Sequence, residues 1–264
     1  MTRRSPRETM SSSDQTEITG LYSPIPIPKL PNFKALIEKK FKDLANGTDE
    51  DSYLAFSGVT TTRFQYIESH RRSLRAQHVR FTYLPDAETL ILKVPCEPHE
   101  KAHAAMGYMI RDQLRINMGV AFDEVIPIQS TTYHGKGNTS KEADSSYKNL
   151  QLRSQVGDWP NWVIEGGMAE SIQRLRGDAS WWINHSRGEV QLVILVWIRP
   201  SRRTIKIETW VPAQPLLSPG PHTRARAASP RLLGRPPVPP GEQDVVLTQQ
   251  DLLDLARAIW TGIA

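Results

Sequence analysis

The feature that most constrains the fold is the apolar run at residues 190–198, Val-Gln-Leu-Val-Ile-Leu-Val-Trp-Ile. Its length and β-branched content predict a central strand buried on both faces, and such a strand needs a packed layer on either side of its sheet. The 264 residues suffice for one large domain. Only 39% of them are hydrophobic, however, and 20 are proline, so part of the chain is expected to lie outside the core.

Residues 1–31 are rich in Ser, Thr and Pro and end in the series Pro24, Pro26, Pro28 and Pro31. Proline at such spacing removes backbone donors, which predicts a disordered or extended leader. The remainder, 32–264, reads as a single domain. Its core spans about 80–210, a flexible Pro- and Arg-rich insert occupies 212–243, and a helix at 248–261 closes the chain. Apolar spacing predicts a helix at 33–44, stopped by Asn46-Gly47, and a second at 63–77. Residues 79–83 and 89–94 read as a hairpin with a Pro-Asp turn between them. A helix then follows at 98–117, with strands at 125–133, 142–147 and 162–165. Gly166-Gly167 is expected to break the last of these. A helix at 171–184, the apolar strand and an alternating strand at 204–211 complete the core. Thr248 followed by Asp251 forms a capping box for the final helix.

Between its ends the chain therefore reads helix, three strands, helix, strand. This αβββαβ order on a mixed sheet is the core order of the restriction-endonuclease-like fold, here with extra N-terminal helices, a hairpin and a C-terminal helix. The chemistry of that fold needs an Asp in the second strand and a Glu in the third, and Asp144 and Glu165 stand there. Adjacent strands lie about 4.8 Å apart, so carboxylates paired on one face can share a hard cation. The segments Lys141-Glu-Ala-Asp144-Ser-Ser-Tyr147, Trp159-Pro-Asn-Trp-Val-Ile-Glu165, the helix from Glu170 to Trp182 and the apolar run after Gly188 together resemble the PD-(D/E)XK nuclease superfamily. Within it they are similar to the Uma-type endonuclease-like branch and to a large set of fungal proteins. The strand at 90–94 leading into Glu97-Pro98-His99-Glu100 is similar to that branch as well.

The resemblance implies Mg²⁺-dependent cleavage of a phosphodiester in DNA or RNA. Asp144 and Glu165 would hold the ion, the Gly166 carbonyl would add a ligand, and Glu100 would lend a carboxylate from the first helix. The pattern departs at the lysine, because position 167 is Gly. Lys141, Arg174 and Arg176 are the candidate replacement cations. An arginine stays protonated, so it can clamp a phosphate but cannot act as a base. A nuclease fold without catalysis, serving to bind nucleic acid or protein, is the alternative. A third reading rests on His99-Glu100-Lys101-Ala102-His103, which matches His-Glu-x-x-His and so raises zinc chemistry, although Pro98 puts His99 in the first helical turn and a third ligand is needed. Singly, each acid also fits a structural role, and Arg174 is close enough in sequence to pair with Glu165.

The net charge of +5 is concentrated in the insert, where Arg224, Arg226, Arg231 and Arg235 are the only charged residues between 212 and 240. They read either as scattered surface arginines or as a phosphate-contacting arm. Trp159, Trp162, Trp181 and Trp182 are expected to pack and not to stack on bases. Gly135-Lys136-Gly137 is a turn. The lone Cys96 excludes an intramolecular disulfide framework and fits a reducing compartment. With no apolar run near the roughly 18 residues of a membrane span and no signal-peptide core, the chain is expected to be soluble and intracellular, cytoplasmic or nuclear, with no membrane partner.

Overall fold

The computed structural model describes residues 12–128, 131–168, 172–212 and 226–262. It opens with α1 (Ser12–Gly20), β1 (Ile25–Pro26) and α2 (Leu30–Ala45), then β2 (Tyr53–Ser57), α3 (Thr61–Ser69) and the hairpin β3 (Arg80–Leu84) and β4 (Thr89–Lys93). Helix α4 (Glu97–Asp112) continues into a π-helical turn at Gln113–Asn117. Four short strands follow: β5 (Ile126–Pro127), β6 (Thr132–His134), β7 (Ser140–Glu142) and β8 (Ser145–Lys148). The chain then forms β9 (Trp162–Met168), α5 (Ile172–His185), β10 (Leu192–Arg199) and β11 (Thr204–Trp210). It ends with β12 (Arg226–Ala227), α6 (Ser229–Leu233), β13 (Val245–Val246) and α7 (Gln249–Trp260).

The result is a mixed α/β fold with two main sheets. One has the order β1-β2-β4-β3-β7-β6; the other runs β5-β8-β9-β10-β11, in chain order. In the second sheet β9 and β10 are parallel, joined through α5, and the other neighbours are antiparallel. The apolar run becomes β10, covered on both faces as its composition requires. Ile194 and Val196 pack with Ala102, Met106 and Ile110 of α4 on one side. Val193 and Leu195 pack with Leu175, Ala179 and Trp182 of α5 on the other. Alternation along β9 distributes its side chains in the same way, so Ile164 faces α4 and Val163 faces α5.

Several sequence expectations change. Within the expected leader, α1 is helical, β1 pairs in parallel with β2 at the sheet edge, and Pro31 lies in the first turn of α2, where its missing donor costs nothing. The strands expected at 125–133 and 142–147 each divide, one part joining each sheet. Gly166 and Gly167 lie within β9, which runs on to Met168. Of the insert, residues 213–225 lie outside the described residues. Residues 226–243 pack against the body, with Leu232 and Leu233 buried. Arg235 is clamped between Glu124 and Glu242, so it is not part of a free basic arm. The capping box at Thr248 and Asp251 forms as expected. Among the described residues, no helix is long and apolar enough to cross a membrane.

Candidate functional site

The two sheets meet where the chain passes from β7 to β8, and Asp144 lies in that passage. The β8–β9 register pairs Ser145 with Ile164; continued by one step, it sets Asp144 across from Glu165. From the other sheet, alternation brings Tyr53, Lys93 and Lys141 onto one face, since Tyr53 pairs with Lys93 and Lys141 with Thr82. That face looks onto the acids. Lys93 Nζ donates to Asp144 Oδ2 at 2.5 Å and to Glu165 Oε2 at 3.1 Å. Lys141 Nζ donates to Asp178 Oδ1 at 2.6 Å and stands 3.7 Å from Glu165 Oε1. Tyr53 donates to the other Asp178 oxygen at 2.8 Å, and Trp182 Nε1 donates to Glu165 Oε1 at 2.7 Å. All of these charged groups are buried.

Asp144 Oδ2 also accepts from His99 Nε2 at 2.9 Å and from the Gly166 amide at 2.8 Å. Burial alone would raise the Asp144 carboxyl, but the charges of His99 and Lys93 outweigh it and hold the group well below the ordinary carboxylate range. Glu165 goes the other way: burial pushes it up to about 7 against the pull of Lys141 and Lys93. Burial works against the Lys93 ammonium too, yet Asp144, Glu165 and Asp178 raise it above its ordinary value, so it stays charged. The His99 imidazole rises to about 9, since Asp144 overcomes its desolvation. Asp144 Oδ1, in contrast to Oδ2, is buried and accepts no hydrogen bond among the described residues.

Asp144 lines a cleft of about 240 Å³ together with Arg80, Glu100, His103, Arg111 and Tyr147. His99 and His103 sit one turn apart on α4 with Glu100 between them. Glu100 Oε1 lies 3.4 Å from both His99 Nδ1 and His103 Nε2. These three atoms form no hydrogen bond among the described residues, and all lie within 4.8 Å of one another. The second nitrogen of each imidazole is engaged, His99 Nε2 with Asp144 and His103 Nδ1 with Ser145 Oγ at 2.8 Å.

The structure thus brings together Asp144, Glu165, Lys141 and the Gly166 backbone, and it places Glu100 in the adjoining cleft. Gly166 is seen to offer its amide to Asp144. Arg174 and Arg176 are not brought in. Arg174 pairs with Asp51 at 2.7 Å and donates to the Leu21 carbonyl, while Arg176 pairs with Glu208 at 2.8 Å. Both point away because they lie off the Leu175, Asp178, Ala179 and Trp182 face that α5 buries. The tryptophans pack, with Trp162 stacked on Tyr147 at 3.9 Å and Trp181 set edge-on to Trp182 at 5.1 Å. Lys93 went unread among the candidates, although it is the one charge in the apolar run 90–94, and that is the signal that could have found it. Compared with known proteins, the chain matches no family model and no curated sequence, so the functional reading rests on this geometry.

Proposed function

We propose that the chain is a nuclease-like hydrolase acting on phosphodiesters of DNA or RNA, with its centre at Asp144, Glu165 and Lys93. The observation that carries this reading is the Lys93 ammonium set between the two acids. It supplies from β4 the cation that position 167 lacks. The second sheet supports the same reading, since its strands follow chain order with α4 before them and α5 between β9 and β10, as an αβββαβ restriction-endonuclease-like core would have. Asp144 Oδ1, a buried oxygen with no hydrogen bond among the described residues on a residue lining the cleft, would hold a divalent ion such as Mg²⁺. Mg²⁺ needs only one or two carboxylates beside water and phosphate oxygens. Glu165 has both oxygens engaged, by Lys93 and Trp182, so its part is to hold Lys93 in place. Such an ion, when bound, polarises a phosphoryl oxygen and lowers the pKa of a bound water. Lys93, permanently charged, stabilises negative charge and does not act as a base. Arg111 in the cleft is suited to orienting a phosphate.

The test is cleavage of plasmid, single-stranded DNA and RNA by the full chain with Mg²⁺, wild type beside Asp144→Asn. A metal-dependent activity that falls by on the order of 100-fold in the variant is expected; equal rates would sink the proposal. A second reading, a binding module without catalysis, is favoured by the burial of both acids, with Asp144 3% and Glu165 0% exposed and their charges already matched by lysines. Nucleic-acid binding that persists in Asp144→Asn, with no cleavage by wild type, would select it.

A further inference from the structure

The cluster on the first turns of α4 carries chemistry of its own. His99 and His103 are nine-tenths buried or more, with side-chain exposures of 1% and 6%, yet each leaves one ring nitrogen without a hydrogen bond among the described residues, and both of those nitrogens converge on Glu100 Oε1. Leaving three buried polar atoms unsatisfied together costs free energy unless something else satisfies them. Glu100 satisfies the two nitrogens poorly, since the contacts at 3.4 Å lack hydrogen-bond geometry, and an ion bound there displaces the proton that Asp144 otherwise holds on His99. Their separation is informative. Ligands about 2.1 Å from a tetrahedral ion stand about 3.4 Å apart, whereas octahedral neighbours at that bond length stand about 3.0 Å apart. Two of the three edges therefore already have the tetrahedral length.

We infer that His99 Nδ1, Glu100 Oε1 and His103 Nε2 form a binding site for a zinc-class divalent ion, with the fourth position turned to the cleft that Glu100 and His103 line. The donor set, two imidazoles and one carboxylate, suits zinc and is poor for Mg²⁺. Both imidazoles are oriented from behind, His99 by Asp144 and His103 by Ser145, the second-layer support that metal-ligating histidines ordinarily have. Three protein ligands and an open fourth position correspond to a reactive zinc site and not to a closed structural one. Arg80, anchored by the Ala143 and His78 carbonyls, stands 3.8 Å from Glu100 Oε1, too far for a hydrogen bond but close enough to keep that carboxylate ionised. The site stands independently of the Mg²⁺ reading at Asp144 Oδ1, because it uses different atoms.

The test is Zn²⁺ titration of the purified full chain by calorimetry, without nucleic acid, paired with the visible absorption of the Co²⁺ form. One equivalent with tetrahedral Co²⁺ bands is expected. Affinity should fall at least about 100-fold in His103→Asn and in Glu100→Gln, and about 10- to 100-fold in Asp144→Asn through the His99 support. The exposed His70→Asn should bind as wild type, which separates the site from adventitious surface binding. Glu100 is 43% exposed, so its variant keeps the fold even where His103→Asn does not. No uptake by wild type, or equal uptake by wild type and Glu100→Gln, would overturn the inference. Because no cleavage is measured, the result is distinct from failure of the nuclease proposal.

Discussion

At the scale of single residues, one missing methyl group shapes the centre. A Cβ on Gly166 would stand 2.9 Å from His99 Cδ2, so a glycine there is what lets the imidazole press against β9 and reach Asp144. Gly166→Ala is expected to push the ring away and cost about 1 to 3 kcal/mol, read as a lower urea midpoint at unchanged slope; an unchanged midpoint would show that the contact is not tight. Lys93 is the opposite case, a residue whose removal leaves charge behind. Lys93→Met strands Asp144 without its ammonium in a buried site and should cost about 3 to 5 kcal/mol. Removing the whole group with Lys93→Met, Asp144→Asn and Glu165→Gln together should cost much less, because no lone carboxylate or ammonium remains and His99, no longer held charged by Asp144, becomes neutral on burial. Thermal melts of the two variants check that difference. Asp144 and Glu165 could be singled out in the sequence by the order of elements, as the acids expected on the second and third strands of the core. Lys93 was not, since it lies 51 and 72 residues from its partners and only the sheet register brings it to them.

At the scale of elements, helices and strands with strong periodicity were readable, and the elements that change sheets were not. Strand β10 and helices α2, α4 and α7 fall where their apolar spacing puts them. The 142–147 segment keeps a strand-like pattern straight through the crossing at Ala143 and Asp144, so nothing local signals that its two halves pair in different sheets. The insert shows a related failure: its prolines suggest looseness, whereas Arg235 fastens it to the body through Glu124 and Glu242. Arg235 holds both carboxyls below the ordinary glutamate range. Groups whose folded pKa is depressed stabilise above their unfolded value, and that contribution is lost as pH falls through the folded value. The stability gap between wild type and Arg235→Ala should thus be full above about pH 5 and shrink on acidification below about pH 4. Urea melts at several pH values measure it, and a gap independent of pH would contradict the clamp.

At the scale of the whole molecule, the candidate site lies on the seam between two sheets, and each sheet brings what the other lacks. The chain-ordered sheet brings Asp144 and Glu165, while the N-terminal sheet brings Lys93, Lys141 and Tyr53. The α/β class could be read from the order of the elements. The joining of two sheets around one buried charged group could not, because it depends on contacts between segments far apart in the chain. The same arrangement explains why the net charge of +5 says little about the site, whose basic and acidic groups are paired inside. The most direct test of that shared centre is the Mg²⁺-dependent rate of phosphodiester cleavage by the triple variant Lys93→Met, Asp144→Asn, Glu165→Gln, measured beside wild type at equal folded fraction. The expected result is cleavage by wild type and a loss of on the order of 100-fold or more in a variant that still melts cooperatively. Cleavage by the folded triple variant at the wild-type rate, or none by wild type, would contradict it.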